Sequence, residues 1–190
     1  MKAVVFVDVQ NDFVKGGKLA FGYPVEDNVP KVVEFAKLCK DEGCKLYATR
    51  DTHEATKWTE KDCAQVVVGY LATLEGQKLP VEHCVEGTDG WQIVDPLMEV
   101  LLGKATFVNK PTFGSYDLVD IVAEDVEGTL DEIVICGYDL SICVLANAIL
   151  LRAKFPNAKI TVRTDLCGDV DKAAFDAAVK VLRMQQIETI

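Results

Sequence analysis

The chain has 190 residues, of which 49% are apolar, and a formal net charge of −10. Excess acidic charge repels phosphate backbones and anionic bilayers, so nucleic acid and membranes are disfavoured as partners, and a small neutral or cationic ligand is favoured. The length suits one buried core, and we expect a single domain over residues 1–190.

Short β-branched runs alternate with longer amphipathic stretches along the chain. Residues 2–9 predict a strand, residues 29–43 a helix ending at a glycine, and residues 44–49 a second strand. The alternation returns as strands at 105–110, 132–137 and 159–164, helices at 116–128, 142–155 and 171–186, and a short end at 187–190. This order predicts an α/β fold, a three-layer α/β/α sandwich around a mostly parallel sheet.

The N-terminal apolar run meets Asp8 too early for a signal peptide or a membrane span. Seven cysteines are scattered without paired spacing, which is typical of reduced thiols. Together these features predict a cytoplasmic protein.

One segment, from about Arg50 to Pro96, interrupts the alternation and shows little periodicity. An irregular segment of that length in a compact domain is usually functional. It also contains both histidines of the chain, His53 and His83.

Parallel sheets bind ligands beyond the carboxyl ends of their strands, where the strand order switches direction. The residues directly after the predicted strands are therefore the candidates for chemistry. They are Asp8, Asp51, Lys110, the turn 137–143 and Asp165.

Cys143 lies where the strand at 132–137 turns into a helix. Unpaired N–H groups and the helix dipole stabilise a thiolate there and lower its pKa, so Cys143 could be a nucleophile. A buried, inert thiol is the alternative.

Asp8 and Lys110 follow two other strands. Asp8 could act as a general base for the thiol, and Lys110 could hold that acid ionised. A turn residue and a surface lysine are the alternatives, and three ionisable groups at one sheet edge form a stronger signal than any one of them.

Asp51, His53 and His83 could bind one metal ion, since imidazole and carboxylate suit zinc, iron or manganese. Structural histidines are the alternative. Cys84 is discounted as a ligand because adjacent extended residues point to opposite sides.

Aromatic residues in the same loops could form a wall for a flat substrate, or pack in the core or rim. They are Phe13, Trp91 and Tyr116, joined by Tyr138 of the 137–143 turn. Serine-hydrolase, dinucleotide and nucleotide-phosphate motifs do not occur in the sequence.

The pattern resembles the nicotinamidase branch of the isochorismatase-like cysteine hydrolases across essentially the whole chain. The matching stretches are DVQNDF, TRDTH, HCVEGTDGWQI, VNKPTFGSYD and CGYDLSICVLANA. The resemblance implies that the catalytic residues are Asp8, Lys110 and Cys143, and that the metal ligands are Asp51, His53 and His83.

The resemblance also implies hydrolysis of nicotinamide, or a close aromatic carboxamide, to the acid and ammonia through a thioester, with a place in NAD salvage. It implies a cis peptide between Tyr138 and Asp139, an oxyanion hole made by the N–H groups of Asp139 and Cys143, and a divalent metal that orients the substrate ring. Zinc is expected first, with iron or manganese as alternatives. Asp62 or Glu60 is the candidate for a further metal ligand, and a homo-oligomer is compatible with the pattern.

Two stretches depart from the family pattern: Tyr138–Ser141 before the cysteine, and Leu79–Glu82 before the second histidine. These departures keep two other functions open. One is a related hydrolase acting on another small amide, carbamoyl or ureido compound. The other is a non-catalytic binding or redox-sensing protein.

Overall fold

In the computed structural model, residues 1–24, 27–61, 63–126 and 128–190 are described. The strands of these ranges are β1 Lys2–Val7, β2 Lys45–Asp51, β3 Lys57–Lys61, β4 Ala64–Val68, β5 Ala105–Lys110, β6 Glu132–Gly137, β7 Lys159–Cys167 and β8 Glu188–Thr189. The helices are α1 Val29–Asp41, α2 Leu74–Lys78, α3 Asp95–Leu101, α4 Tyr116–Asp125, α5 Leu145–Lys154 and α6 Lys172–Met184.

Six strands form the central sheet in the order β5-β2-β1-β6-β7-β8, and every paired neighbour is parallel. On one side of β1 lie β2 and then β5, and on the other side lie β6, β7 and β8. The strand order therefore switches between β1 and β6, which is where the carboxyl ends of such sheets form a crevice. The predicted α/β/α sandwich with a mostly parallel sheet is confirmed.

Helices cover both faces of the sheet: α1 packs with α3, and α5 packs with α4 and α6. β1 and β6 are buried along almost their whole length, as strands covered on two sides must be. The buried side of α1 carries Val32, Val33, Ala36 and Cys39, a spacing that places them on one helix face. None of the helices in the described ranges is both long and apolar enough to cross a bilayer.

Gly137 ends β6 at the switch in strand order. Its φ is +128°, and a Cβ there would lie 2.0 Å from the carbonyl oxygen of Val7. A side chain at this position would therefore clash with β1, so glycine lets the chain leave the sheet beside β1. The turn that carries Cys143 starts at this point.

The segment 50–96 is less irregular than its sequence predicts. It contains the antiparallel hairpin of β3 and β4, the short helix α2, and the first residues of α3. A single bridge pairs Gln10 with Ile93 and attaches the segment to the chain that follows β1, and a second bridge pairs His53 with Val85 within the segment. The weak periodicity reflects short elements with exposed residues, since β3 is exposed throughout.

Candidate active site

Four ionisable side chains meet at the carboxyl ends of the inner strands. Asp8 follows β1, Asp51 and Lys110 end β2 and β5 as direct register partners, and Cys143 lies in the turn after β6. Parallel strands point their carboxyl ends the same way, so residues distant in sequence become neighbours. All four are buried.

Lys110 lies at the centre of this group. Its Nζ is 2.7 Å from Asp8 Oδ2, 3.6 Å from Asp51 Oδ1 and 3.4 Å from Cys143 Sγ, and it donates to the carbonyl of Thr112 at 3.1 Å. Burial opposes the ammonium charge, but the acidic groups around it raise the pKa of Lys110 above its ordinary value. The lysine is therefore a fixed positive charge that contacts both the thiol and the acids.

Asp8 has left-handed backbone geometry, with φ +51°, a region that aspartate enters more readily than most residues. Thr49 Oγ1 donates to Asp8 Oδ1 at 2.6 Å and accepts from the Asp8 N–H at 3.1 Å. Burial raises the pKa of Asp8, and the Lys110 ammonium opposes that rise. A buried carboxylate whose basicity exceeds that of a solvated one suits a general base.

Cys143 lies in a π-helical turn, Leu140–Val144, directly before α5. Its sulfur lies 3.4 Å from Lys110 Nζ, and Asn147 Nδ2 donates to its carbonyl at 2.8 Å. Burial raises the pKa of the thiol well above its ordinary value, while Lys110 lowers it. The predicted lowering of the thiol pKa is therefore wrong, because desolvation by burial outweighs the attraction of the Lys110 charge, and the resting thiol keeps its proton.

The turn before Cys143 has the expected cis peptide between Tyr138 and Asp139. The N–H of Asp139 donates no hydrogen bond to any other described residue. Asp169 anchors the same turn, since its Oδ2 accepts from the Ser141 N–H at 2.8 Å and its Oδ1 from Ser141 Oγ at 2.8 Å. A free N–H donor thus lies on an anchored turn next to the thiol.

A second group of side chains lies beside Lys110. Asp51 Oδ2 is 2.9 Å from His53 Nε2 and 3.3 Å from His83 Nε2. Glu75 Oε1 is 3.8 Å from His53 Nε2 and 3.6 Å from His83 Nε2. Donor atoms of all four side chains lie within 4.8 Å of one another.

This spacing fits a metal ion. Ligand atoms about 2.0–2.1 Å from a tetrahedral metal lie roughly 3.3 Å apart, close to the distances between these donors. Two imidazoles with two carboxylates suit zinc, iron or manganese. Burial raises the pKa of Glu75, and the neighbouring Asp51 charge adds to that rise, so a cation would relieve the crowding of acids.

The surrounding residues orient these donors. The His83 Nδ1 faces the carbonyl oxygen of Val81 at 2.8 Å, which leaves Nε2 toward the cluster. Gln10 Nε2 donates to the carbonyl of Asp51 at 2.9 Å, and Gln10 Oε1 accepts from the Asp51 N–H at 2.7 Å. Asp12 Oδ2 accepts from the N–H of Cys84, the residue after His83, at 2.8 Å. Sequence reasoning missed Gln10 and Asp12 as positioning residues, although both stand in the quoted DVQNDF stretch.

The fourth member of the cluster is a residue that sequence reasoning missed. Glu75 lies in α2, whose N-cap Thr73 accepts from the N–H of Gly76. Of the two candidates for this position, Glu60 is an exposed residue of β3 outside the cluster, and Asp62 lies outside the described residues. The signal that could have found Glu75 is its place in a capped turn between the two histidines.

Both groups open into one cavity of about 280 Å³. This volume lies at the small end of ligand pockets and fits a small molecule. Its polar wall comes from Asp51, Glu75, His83, Asp139 and Cys143. The apolar wall is formed by Phe13, Leu19, Ala20, Gly22, Leu79, Phe113, Ile142 and Val170.

Of the four predicted aromatic wall residues, only Phe13 lines this cavity. Trp91 donates to Thr52 Oγ1 at 2.9 Å and packs under the Arg50 guanidinium, 4.1 Å from its ring. Tyr116 is 77% exposed at the start of α4. Both therefore lie away from the cavity lining.

Tyr138 is also not in the cavity lining. Its ring is buried and stacks on Phe21 with centroids 4.8 Å apart, and its hydroxyl pairs with Asn28 Oδ1. The second aromatic of the lining is Phe113, which sequence reasoning missed although it stands in the quoted VNKPTFGSYD stretch.

Asp165 was expected at the edge of the site because the strand was predicted to end at residue 164. β7 continues to Cys167, and the side chain of Asp165 pairs with Arg163 at 2.7 Å on the exposed edge. The acid that reaches the site from this strand is Asp169 instead.

Comparison with known proteins gives consistent results. A family model described as Isochorismatase domain matches residues 2–190. The chain is 27% identical to the nicotinamidase of Escherichia coli (strain K12) over 200 residues, which cover 96% of this chain and 90% of that protein.

Solved structures with a similar fold include pyrazinamidase/nicotinamidase from Streptococcus mutans, with a TM-score of 0.78 and 21% identity over 100% of both chains. Another is the pyrazinamidase of Pyrococcus horikoshii in complex with zinc, with a TM-score of 0.75 and 21% identity over 100% of this chain and 98% of that chain. At these identities the structural likeness shows the fold.

Proposed function

The chain belongs to the isochorismatase family, and on this premise we propose that it is a metal-assisted cysteine amidohydrolase that converts nicotinamide, or a close aromatic carboxamide, to the acid and ammonia. One observation carries the proposal. Lys110 Nζ lies within 3.6 Å of the Asp8 carboxylate, the Cys143 sulfur and the Asp51 carboxylate, so the acid–thiol pair and the histidine–carboxylate group serve one small cavity.

The first step uses the thiol and its acceptor. The Cys143 proton moves to the Asp8 carboxylate as the sulfur forms a bond to the carboxamide carbon, and the carbonyl π pair moves onto oxygen. The N–H groups of Asp139 and Cys143 would receive that oxyanion, and removing one such donor typically costs about 3–4 kcal/mol of barrier. The Lys110 ammonium, 3.4 Å from the sulfur, stabilises thiolate as it develops.

The second step returns the proton. As the tetrahedral intermediate collapses, the C–N bond breaks and Asp8 gives its proton to the leaving nitrogen, so that ammonia departs and a thioester remains on Cys143. Water, deprotonated by the regenerated Asp8 carboxylate, then attacks the thioester carbon. The sulfur leaves and regains a proton, and the carboxylic acid is released.

The metal is proposed to be a divalent ion held by Asp51, His53, Glu75 and His83, with zinc first and iron or manganese as alternatives. When bound, it would supply a Lewis-acid contact that orients the ring nitrogen of the substrate. The apolar wall contributes Phe13, whose ring contacts His83 edge-on with centroids 5.7 Å apart, and this ring can pack against a flat substrate.

Several features support this proposal. The Escherichia coli relative is a nicotinamidase, and the Pyrococcus horikoshii structure contains zinc. All seven cysteines are free thiols, which agrees with the expected cytoplasmic location. A single domain over 1–190, a place in NAD salvage and a homo-oligomer remain predictions.

The test is ammonia release from nicotinamide by protein supplied with zinc, iron or manganese. We expect turnover by the wild type and its loss in Cys143→Ala. Cys39→Ala is the matched control, because Cys39 is also a buried thiol but lies on α1 in the core, and it should retain activity. The nicotinamide assignment falls if the metal-loaded wild type releases no ammonia.

A second candidate is hydrolysis of another small amide, carbamoyl or ureido compound by the same nucleophile. The carboxyl group of Asp139 in the cavity wall favours it, because an acid there can select substrates with additional hydrogen-bond donors. A panel of small amides separates the two candidates by their relative kcat/KM.

A further inference from the structure

The turn before Cys143 places an acidic side chain in the cavity wall without an evident structural task. Asp139 lines the cavity, is 8% exposed, and its Oδ1 finds no hydrogen-bond partner in the described part of the chain. A buried carboxyl group without a partner lowers folding stability. A hydrogen-bond donor that arrives with a ligand would satisfy this carboxyl group.

The neighbouring acid shows the contrast. Asp169 is also buried, and both of its oxygens accept hydrogen bonds from Ser141, by which it anchors the turn. Asp139 holds the turn through its backbone carbonyl, which accepts from the N–H groups of Ile142 at 3.2 Å and Val144 at 3.0 Å. An alanine could make these backbone contacts, so the carboxyl group is not needed for the fold of the turn.

The groups around Asp139 are mainly acidic. Burial raises the pKa of Asp139 to about 7, with Asp169 and Asp8 adding to the rise and His83 opposing it. Within the described ranges, no lysine or arginine forms an ion pair with it. At pH 8 the side chain of this cavity-lining residue is thus an anionic acceptor whose Oδ1 has no partner among the described residues.

We propose that Asp139 is a specificity-determining residue whose carboxylate accepts a hydrogen bond from an N–H group that the substrate carries beside the scissile carbonyl. The inference rests on the proposed function, since it takes the cavity as the site of amide hydrolysis. The backbone N–H of the same residue is a proposed oxyanion donor, so its side chain reaches only groups close to the bound carbonyl. The substrates selected are small primary amides with an amino or ureido nitrogen next to the carbonyl carbon.

The test compares two probes that differ by one donor, benzamide and 2-aminobenzamide. Affinities are measured by calorimetry at pH 8 with metal supplied, in the Cys143→Ala background, so that turnover does not interfere. We expect 2-aminobenzamide to bind more tightly, and Asp139→Ala to reduce that preference roughly ten- to hundredfold, the range for a hydrogen bond to a charged group. Asp139→Asn keeps a carbonyl acceptor and should retain part of the preference.

Ser141→Ala is the matched control, because Ser141 lies in the same turn with its hydroxyl directed to Asp169, and it should leave the preference unchanged. The inference is overturned if Asp139→Ala leaves the affinity ratio unchanged, weakens both probes equally, or if neither probe binds. Ammonia release from nicotinamide tests the proposed function separately. If the wild type hydrolyses nicotinamide but Asp139→Ala leaves the affinity ratio of the two probes unchanged, only the inference about Asp139 falls. If Asp139→Ala changes this ratio but the wild type does not hydrolyse nicotinamide, only the nicotinamide assignment falls.

Discussion

The substitution Asp139→Asn should stabilise the protein in a strongly pH-dependent way. Asp139 is buried, its Oδ1 has no partner among the described residues, and burial raises its pKa from 3.8 to about 7. Between these two values the folded protein holds a proton that the unfolded chain has lost. Folding stability contributed by the neutral acid is therefore present at low pH and is lost as the pH rises toward about 7.

The magnitude follows from the same two values. For each pH unit over which only the folded state is protonated, the free energy of unfolding falls by about 1.4 kcal/mol as the pH rises. The wild type should therefore lose about 3 kcal/mol of its free energy of unfolding through Asp139 between pH 5 and pH 8. Asparagine has a similar shape and does not titrate. The variant should thus gain about 3 kcal/mol relative to the wild type over this interval, which corresponds to roughly 10 °C in Tm for a chain of this size.

The assay is urea unfolding followed by tryptophan fluorescence at pH 5 and pH 8, with metal supplied and with both proteins at equal concentration. Other groups titrate over the same interval, but they are common to both proteins and cancel in the difference. Val170→Ala is the control, because Val170 lines the same cavity and carries no ionisable group, so its effect should be equal at both pH values. An equal effect of Asp139→Asn at pH 5 and pH 8 would show that the pKa of Asp139 is not raised by folding.

Three further predictions concern the site and its support. Glu75→Gln should weaken metal binding, whereas Glu60→Gln should not, as measured by competition with a chelator; equal affinities would remove Glu75 from the ligand set. Gly137→Ala should destabilise the protein by several kcal/mol in urea unfolding, because its Cβ would meet a β1 carbonyl at 2.0 Å, and a loss below about 1 kcal/mol would contradict the close approach. Lys110→Met should slow iodoacetamide alkylation of Cys143, because it removes the ammonium 3.4 Å from the sulfur, and an unchanged or faster rate would show that the lysine does not stabilise the thiolate.

The parts of the fold that the sequence predicts are those in which local pattern and tertiary packing agree. The strand at 105–110 has the predicted bounds, although it lies at the edge of the sheet and only Val108 and Lys110 are buried. The strand at 132–137 also has the predicted bounds, because an apolar strand buried in a parallel sheet is apolar along its length. The hairpin of β3 and β4 was missed for the opposite reason. β3 is exposed throughout, so burial imposes no alternation of apolar and polar residues by which the strand could be recognised.

In the candidate site, the residues directly after strands were predictable, because parallel strands bring their carboxyl ends to one edge. Asp8, Asp51, Lys110 and Cys143 meet there as expected. Glu75 comes from a five-residue helix in the long segment, where neither periodicity nor strand position indicates which way a side chain points. The thiol pKa was mispredicted because local helix geometry says nothing of how deeply tertiary packing buries the sulfur.

The aromatic residues show the same limit. Phe13 lies in the cavity wall, but Tyr138 turns into the core against Phe21, and Tyr116 faces solvent. Aromatic side chains in loops suit a core, a rim or a ligand site almost equally well, and only packing decides among them.

The central claim is that Cys143 attacks the amide carbon and carries the acyl group. It is tested most directly by mixing metal-loaded protein with nicotinamide, quenching in acid within a single turnover, and mapping the adduct by mass spectrometry. A nicotinoyl thioester is expected on the peptide that contains Cys143, with neither adduct nor ammonia from Cys143→Ala. Full ammonia release by Cys143→Ala would contradict it.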